Sequence, residues 1–177
     1  MSDSSDLVEP ISEHVRGGDP KKKPRVFLVL ADDSVEMGKA LRFASLRAKH
    51  TGGMVALLHV QDSAEFHHWL GVEALMKEEA REEAEALIQK LSETVNELCG
   101  SYPVIYMREG DRAEQLFALL DEDSSISIVV LASSAESASN DHVINHLSGK
   151  GRGLMRTPFT IVPGTLSDEE IDALTLG

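Results

Sequence analysis

Six consecutive apolar residues, Val26-Phe27-Leu28-Val29-Leu30-Ala31, restrict the folds open to this chain more than any other feature. A strand with one wet face alternates apolar and polar side chains, whereas an unbroken apolar run belongs to a strand covered on both faces. The pattern returns in Val55-Ala56-Leu57-Leu58-His59-Val60 and in Ile128-Val129-Val130-Leu131. Shorter versions are Val104-Ile105-Tyr106-Met107 and Phe159-Thr160-Ile161-Val162-Pro163. Stretches of helical period lie between them. Met37, Leu41, Ala44 and Ala48 form one stripe, closed by Gly52-Gly53, and Ala113, Leu116, Phe117 and Leu120 form another. The longest helix runs from about Val72 to Cys99 with Gly100 as its stop. Its apolar stripe is Ala80, Ala84, Leu87, Ile88, Leu91, Val95 and Leu98, and its opposite face is largely glutamate. Strands that alternate with helices imply right-handed crossovers and an open α/β fold, a five-stranded parallel sheet with helices on both faces.

Residues 1–24 are polar, hold Gly17-Gly18, Pro20 and Pro24, and show no apolar period, so they read as a flexible N-terminal arm. The α/β domain occupies 25–164, and 165–177 form an acidic tail with a short helix. Two helix starts carry a capping-box spacing, Asp111 with Glu114 and Ser167 with Glu170. Asp33 or Ser34 is expected to cap the first helix. The tail helix buries little by itself and is expected to lean on the body or on a partner.

Composition removes several function classes. The net charge of −13 is concentrated, with ten acidic and three basic residues between 61 and 99 and four acids in the tail. A nucleic-acid partner demands a basic surface, so none is expected. The cluster Lys21-Lys22-Lys23 reads as a solvated linker. No apolar run approaches the roughly 18–20 residues of a membrane span, and no membrane partner is expected. The N-terminus lacks the apolar core of a secretion signal, and Cys99 is the only cysteine, so a reducing cytoplasm is the expected compartment.

Several segments, in order, resemble the universal stress protein family from about Arg25 to Gly164. They are Leu28-Val29-Leu30-Ala31-Asp32-Asp33-Ser34 leading into Lys39-Ala40-Leu41, then Leu57-Leu58-His59-Val60, Glu109-Gly110-Asp111-Arg112-Ala113-Glu114, and Val129-Val130-Leu131 through Pro158-Phe159-Thr160-Ile161-Val162-Pro163. The resemblance implies strand order 3-2-1-4-5, a homodimer paired through the last strand, and a stress-response role without catalysis. It also implies that some members hold ATP through an aspartate after the first strand, a backbone contact near the end of the second, and a phosphate loop of spacing Gly-x-x-Gly, nine residues, Gly-Ser/Thr. Asp32 matches the first and Val60 the second. The loop's glycine places hold Ala132, Ala135 and Asn145, and its hydroxyl place holds His146. A Cβ at such a place restricts positive φ and fills the space through which an amide would approach phosphate.

The residues themselves leave alternatives. Asp32 and Ser34 stand at the switch point of an open α/β sheet, where Asp32 could accept a hydrogen bond from a base or ribose. Lys150 and Arg152, among Gly149, Gly151 and Gly153, form a rival anion site. Asp32, Ser34, Val60, Lys150 and Arg152 are thus the candidate nucleotide-binding set, with ATP or AMP as the alternative ligand and no cofactor as the main expectation. His142 and His146 are spaced for a shared helix face but lack a third ligand, so no metal is expected. Cys99 reads as an inert thiol at a helix end. No nucleophile elbow, HExxH or CxxC occurs. The reading is a non-catalytic stress-response homodimer that acts through protein partners or a small regulatory ligand. Phe159 and Ile161 are its expected pairing edge.

Overall fold

The computed structural model describes residues 23–62, 72–133, 141–149 and 155–176. Along the chain run β1 (Val26–Leu30), α1 (Met37–Thr51), β2 (Met54–Gln61), α2 (Glu73–Cys99), β3 (Val104–Glu109), α3 (Arg112–Glu122), β4 (Ile126–Ser133), α4 (Asp141–Ser148), β5 (Phe159–Pro163) and α5 (Asp168–Thr175). The strands form one sheet of order β3-β2-β1-β4-β5, and every pairing is parallel. β1 is central and wholly buried, which is what its unbroken apolar run demands. Among the described residues no helix is long and apolar enough to cross a membrane.

Alternate side chains of the strands feed two cores. Phe27, Val29, Val55 and Leu57 meet α1, α2 and α5 on one face. Leu28, Leu30, Ala56, Leu58, Val129 and Leu131 meet α3 and α4 on the other. α1 and α2 both end on a left-handed glycine, Gly52 at φ 64° and Gly100 at φ 83°, a conformation other residues adopt at a cost. Tyr106 of β3 donates to Asp123 at the end of α3 over 2.7 Å. Burial and that carboxylate push the phenol's pKa up.

Several sequence expectations need correction. Neither Asp33 nor Ser34 caps α1: the helix begins at Met37, Glu36 precedes it in αR geometry, and no side chain accepts from its first amides. The Ser34 N–H is directed instead to Asp32. β3 extends two residues past Met107 to Glu109. Ala132 and Ser133 belong to β4 and pair with Val162 and Pro163, so the strand runs two residues past Leu131. At α3 only one half of the box forms, Asp111 accepting from the Glu114 N–H at 2.9 Å.

The tail helix leans on the body. Ser167 and Glu170 make a full capping box, and Ile171 is wholly buried in the first core. Arg42 of α1 grips both carboxylate oxygens of Asp172 at 2.7 Å, and Lys39 reaches Asp168 at 2.8 Å. These contacts hold the Asp168 and Asp172 carboxyls below the usual carboxylate range.

Candidate functional site

Asp32 follows the end of β1 and is only 6% exposed. A buried carboxylate needs partners, and two are supplied. Oδ1 accepts the Ser34 N–H at 3.0 Å, a local turn closed by the aspartate. Oδ2 faces Nη2 of Arg112 at 3.5 Å, across 80 residues of sequence. Arg112 is the first residue of α3, where a cation meets the positive end of the helix dipole. Burial pushes its pKa down, and the charges of Asp32 and Asp33 oppose that effect. The side chain therefore ties the tip of β1 to the start of α3.

Leu30 pairs with Leu58, and Asp32 and Val60 each follow that pair by two residues at the carboxyl ends of neighbouring strands. Asp32, Ser34 and Val60 thus gather at the carboxyl edge of the central strands, although the Val60 side chain belongs to the second core. Lys150 and Arg152 lie outside the described residues, as does Ala135. His59, one residue before Val60, is half-buried. Neither ring nitrogen has a hydrogen-bond partner of good geometry. Burial lowers its pKa and the Arg112 charge adds to this, while Gln61 and the Ala31 amide lie near enough to offset part of the effect. His59 is therefore a neutral imidazole near pH 7.

Among the described residues, the places that correspond to a glycine phosphate loop offer little to an anion. Ala132 is buried in β4. Asn145 and His146 are the fifth and sixth residues of α4, beyond the four free amides of a helix start, so their N–H groups serve the helix. His146 stacks on Phe117 with ring centroids 5.1 Å apart. At the tips of β4 and β5 the Gly164 N–H donates to Ser133 at 2.7 Å, and the Glu36 side chain packs against Gly164 so closely that a Cβ there would overlap it. Asp32, Asp33, Glu36 and Asp111 make this rim acidic, a poor setting for a polyphosphate.

The two histidines turn to different partners. His142 Nε2 meets Asp111 Oδ2 at 3.1 Å while His146 faces Phe117, and among the described residues no three His, Cys, Asp or Glu could hold an ion. The Asp111 pKa is lowered first by the Glu114 N–H, with the imidazole a smaller contribution. Cys99 is half-buried at the end of α2, its thiol 3.5 Å from Ser101. Sequence reasoning missed Arg112. A cation at the first position of a helix is unfavourable without a carboxylate nearby, and that misfit was the available signal.

A profile described as the universal stress protein family matches residues 24–150. The chain belongs to the universal stress protein family. Solved universal stress proteins share its fold at low identity. UspA from Lactobacillus plantarum is 12% identical, with 80% of this chain and 99% of that one covered and a TM-score of 0.63. A family protein from Burkholderia pseudomallei is 19% identical over 81% and 99%, with a TM-score of 0.58. The universal stress protein from Archaeoglobus fulgidus in complex with dAMP is 13% identical over 78% and 97%, with a TM-score of 0.54. No curated protein matches the chain. This universal stress protein thus has the five-stranded order expected of its family, with an Arg112-bound aspartate at the switch point.

Proposed function

We propose that this universal stress protein acts in the stress response without catalysing a reaction. It is a cytoplasmic homodimer that works through protein partners or a small regulatory ligand and does not depend on retained ATP. One observation carries this reading: at the described places of the phosphate loop, Ala132 lies within a strand and Asn145 and His146 lie inside α4, so their amides serve those elements and not an anion. The acidic rim and the Arg112 contact on Asp32 point the same way.

Titration calorimetry with ATP and AMP tests it, together with mass spectrometry of whatever the purified protein releases on denaturation. No released nucleotide and no heat at micromolar protein are expected. Micromolar affinity that disappears in Asp32→Ala would overturn the reading. It would favour an adenine-nucleotide switch built on Asp32, Ser34 and Val60, for which the buried carboxylate and the dAMP complex of the Archaeoglobus protein are the support.

A further inference from the structure

β3 is an edge strand whose inward face on the α2 side is only half covered. Ile105 and Met107 point to that side, because their neighbours Val104 and Tyr106 belong to the second core, yet they are 40% and 46% exposed. The cause lies in α2. Its carboxyl half brings Ile88, Leu91 and Val95 to the first core, but its amino half offers Ala74, Lys77, Glu78, Arg81 and Ala84 toward β3. Short or charged side chains cannot fill the space above Ile105 and Met107. A groove of about 820 Å³ remains between α2 and the β2–β3 edge, in the size range of small-molecule sites.

Its lining sets apolar Ala74, Ala84, Ile88, Ile105 and Met107 among polar and charged side chains, and two of the polar ones are buried without a hydrogen bond of good geometry. His59 sits opposite Met107 in the strand register, and neither of its nitrogens makes a hydrogen bond of good geometry, although Gln61 and the Ala31 backbone lie near. Ser92 is 7% exposed, and its hydroxyl makes no hydrogen bond, not even the return to the preceding turn that serines in helices usually make. Buried polar groups of this kind ask for a partner. Both line the groove. A turn about the His59 Cβ–Cγ bond, a torsion with broad wells, presents a nitrogen to the groove. Charge narrows the ligand further. The cations among the described lining residues are already paired, Lys77 with Glu73, Arg81 with Glu85 and Arg108 with Glu122, while Glu78 and Glu109 add negative charge.

We infer that this groove binds an uncharged, mostly apolar small molecule bearing a hydroxyl or carbonyl group. Its apolar body lies on Ile105, Met107 and Ile88, and its oxygen meets His59 or Ser92. An anionic ligand finds no spare cation among the described lining residues. The inference does not rest on the absence of ATP at the switch point, because the groove uses neither Asp32 nor the ends of β4 and β5.

The test uses the full chain and the neutral fluorophore N-phenyl-1-naphthylamine, displaced by 1-decanol or by decanoate. One saturable site per chain is expected, with decanol competing at concentrations at least tenfold lower than decanoate. Met107→Glu and Ile105→Glu, both at exposed positions, should each weaken the fluorophore at least tenfold, while Leu174→Glu on α5 leaves it unchanged. His59→Phe should weaken decanol about fivefold and the fluorophore less than twofold. Absence of saturable binding, equal competition by decanoate, or indifference to both glutamate substitutions overturns the inference. So does sedimentation showing that Met107→Glu splits an oligomer, since the face would then belong to a second copy of the chain. ATP calorimetry reads Asp32 and not this groove, so the two proposals fail separately.

Discussion

At Arg112 a cation is held at the amino end of a helix because Asp32 lies across the gap from it. Replacing it with leucine removes one of the carboxylate's partners in a buried setting. Arg112→Leu should lower stability by about 2 kcal/mol in denaturant melts, the usual cost of stripping a partner from a buried polar group. A loss within 0.5 kcal/mol would mean the contact contributes only placement. His59 makes a second, pH-dependent prediction. Its folded pKa is depressed by burial, so as pH falls through the unfolded value of about 6.5 the unfolded chain takes the proton first. The stability it contributes is present above that pH and lost below it. Denaturant midpoints should drop between pH 7 and 5.5, and the drop should be shallower in His59→Phe. An identical pH slope in the variant would remove His59 as the cause.

Among the elements, α5 was readable as a helix that leans on something, but not in the particular contacts that hold it. The Ser167 and Glu170 spacing announces the cap, yet nothing in the tail says that Ile171 enters the first core or that Arg42 waits for Asp172. Ser167→Ala should cost about 1 kcal/mol, a typical loss of an N-cap, and speed amide exchange in α5 before the rest of the domain. Ile171→Ala should cost about 3 kcal/mol globally, as a buried truncation does. Exchange confined to α5 in that variant would show that the helix is a separable unit. The strands were legible because burial on both faces leaves a one-letter trace, an unbroken apolar run. The start of α1 was not, since Asp33 and Ser34 have capping side chains but the turn closed by Asp32 delays the helix until Met37. The Asp32–Arg112 contact and the groove beside α2 were equally hidden. One joins residues distant in sequence, and the other arises from side chains that are too short to fill a space.

For the whole molecule, the sheet has two outer strands with different surfaces. On β5, Phe159 is committed to the second core beside Phe117, with ring centroids 6.3 Å apart, so in the proposed dimer Ile161, 44% exposed, is the side chain left for pairing. Light scattering should find a dimer at micromolar concentration, and Ile161→Glu should turn it into a monomer. A dimer that survives that substitution would move the pairing surface away from β5.

β1 lies between β2 and β4, and Val26 stands opposite both Met54 and Ile126. During translation its second neighbour leaves the ribosome about a hundred residues after the first strand. Until then a nascent ribbon of bare aliphatic side chains has one unsatisfied margin, and α4, which helps to cover its second face, has still to be made. Fragments ending before Ile126 should therefore precipitate or remain bound to chaperones, and should not settle as a smaller soluble unit.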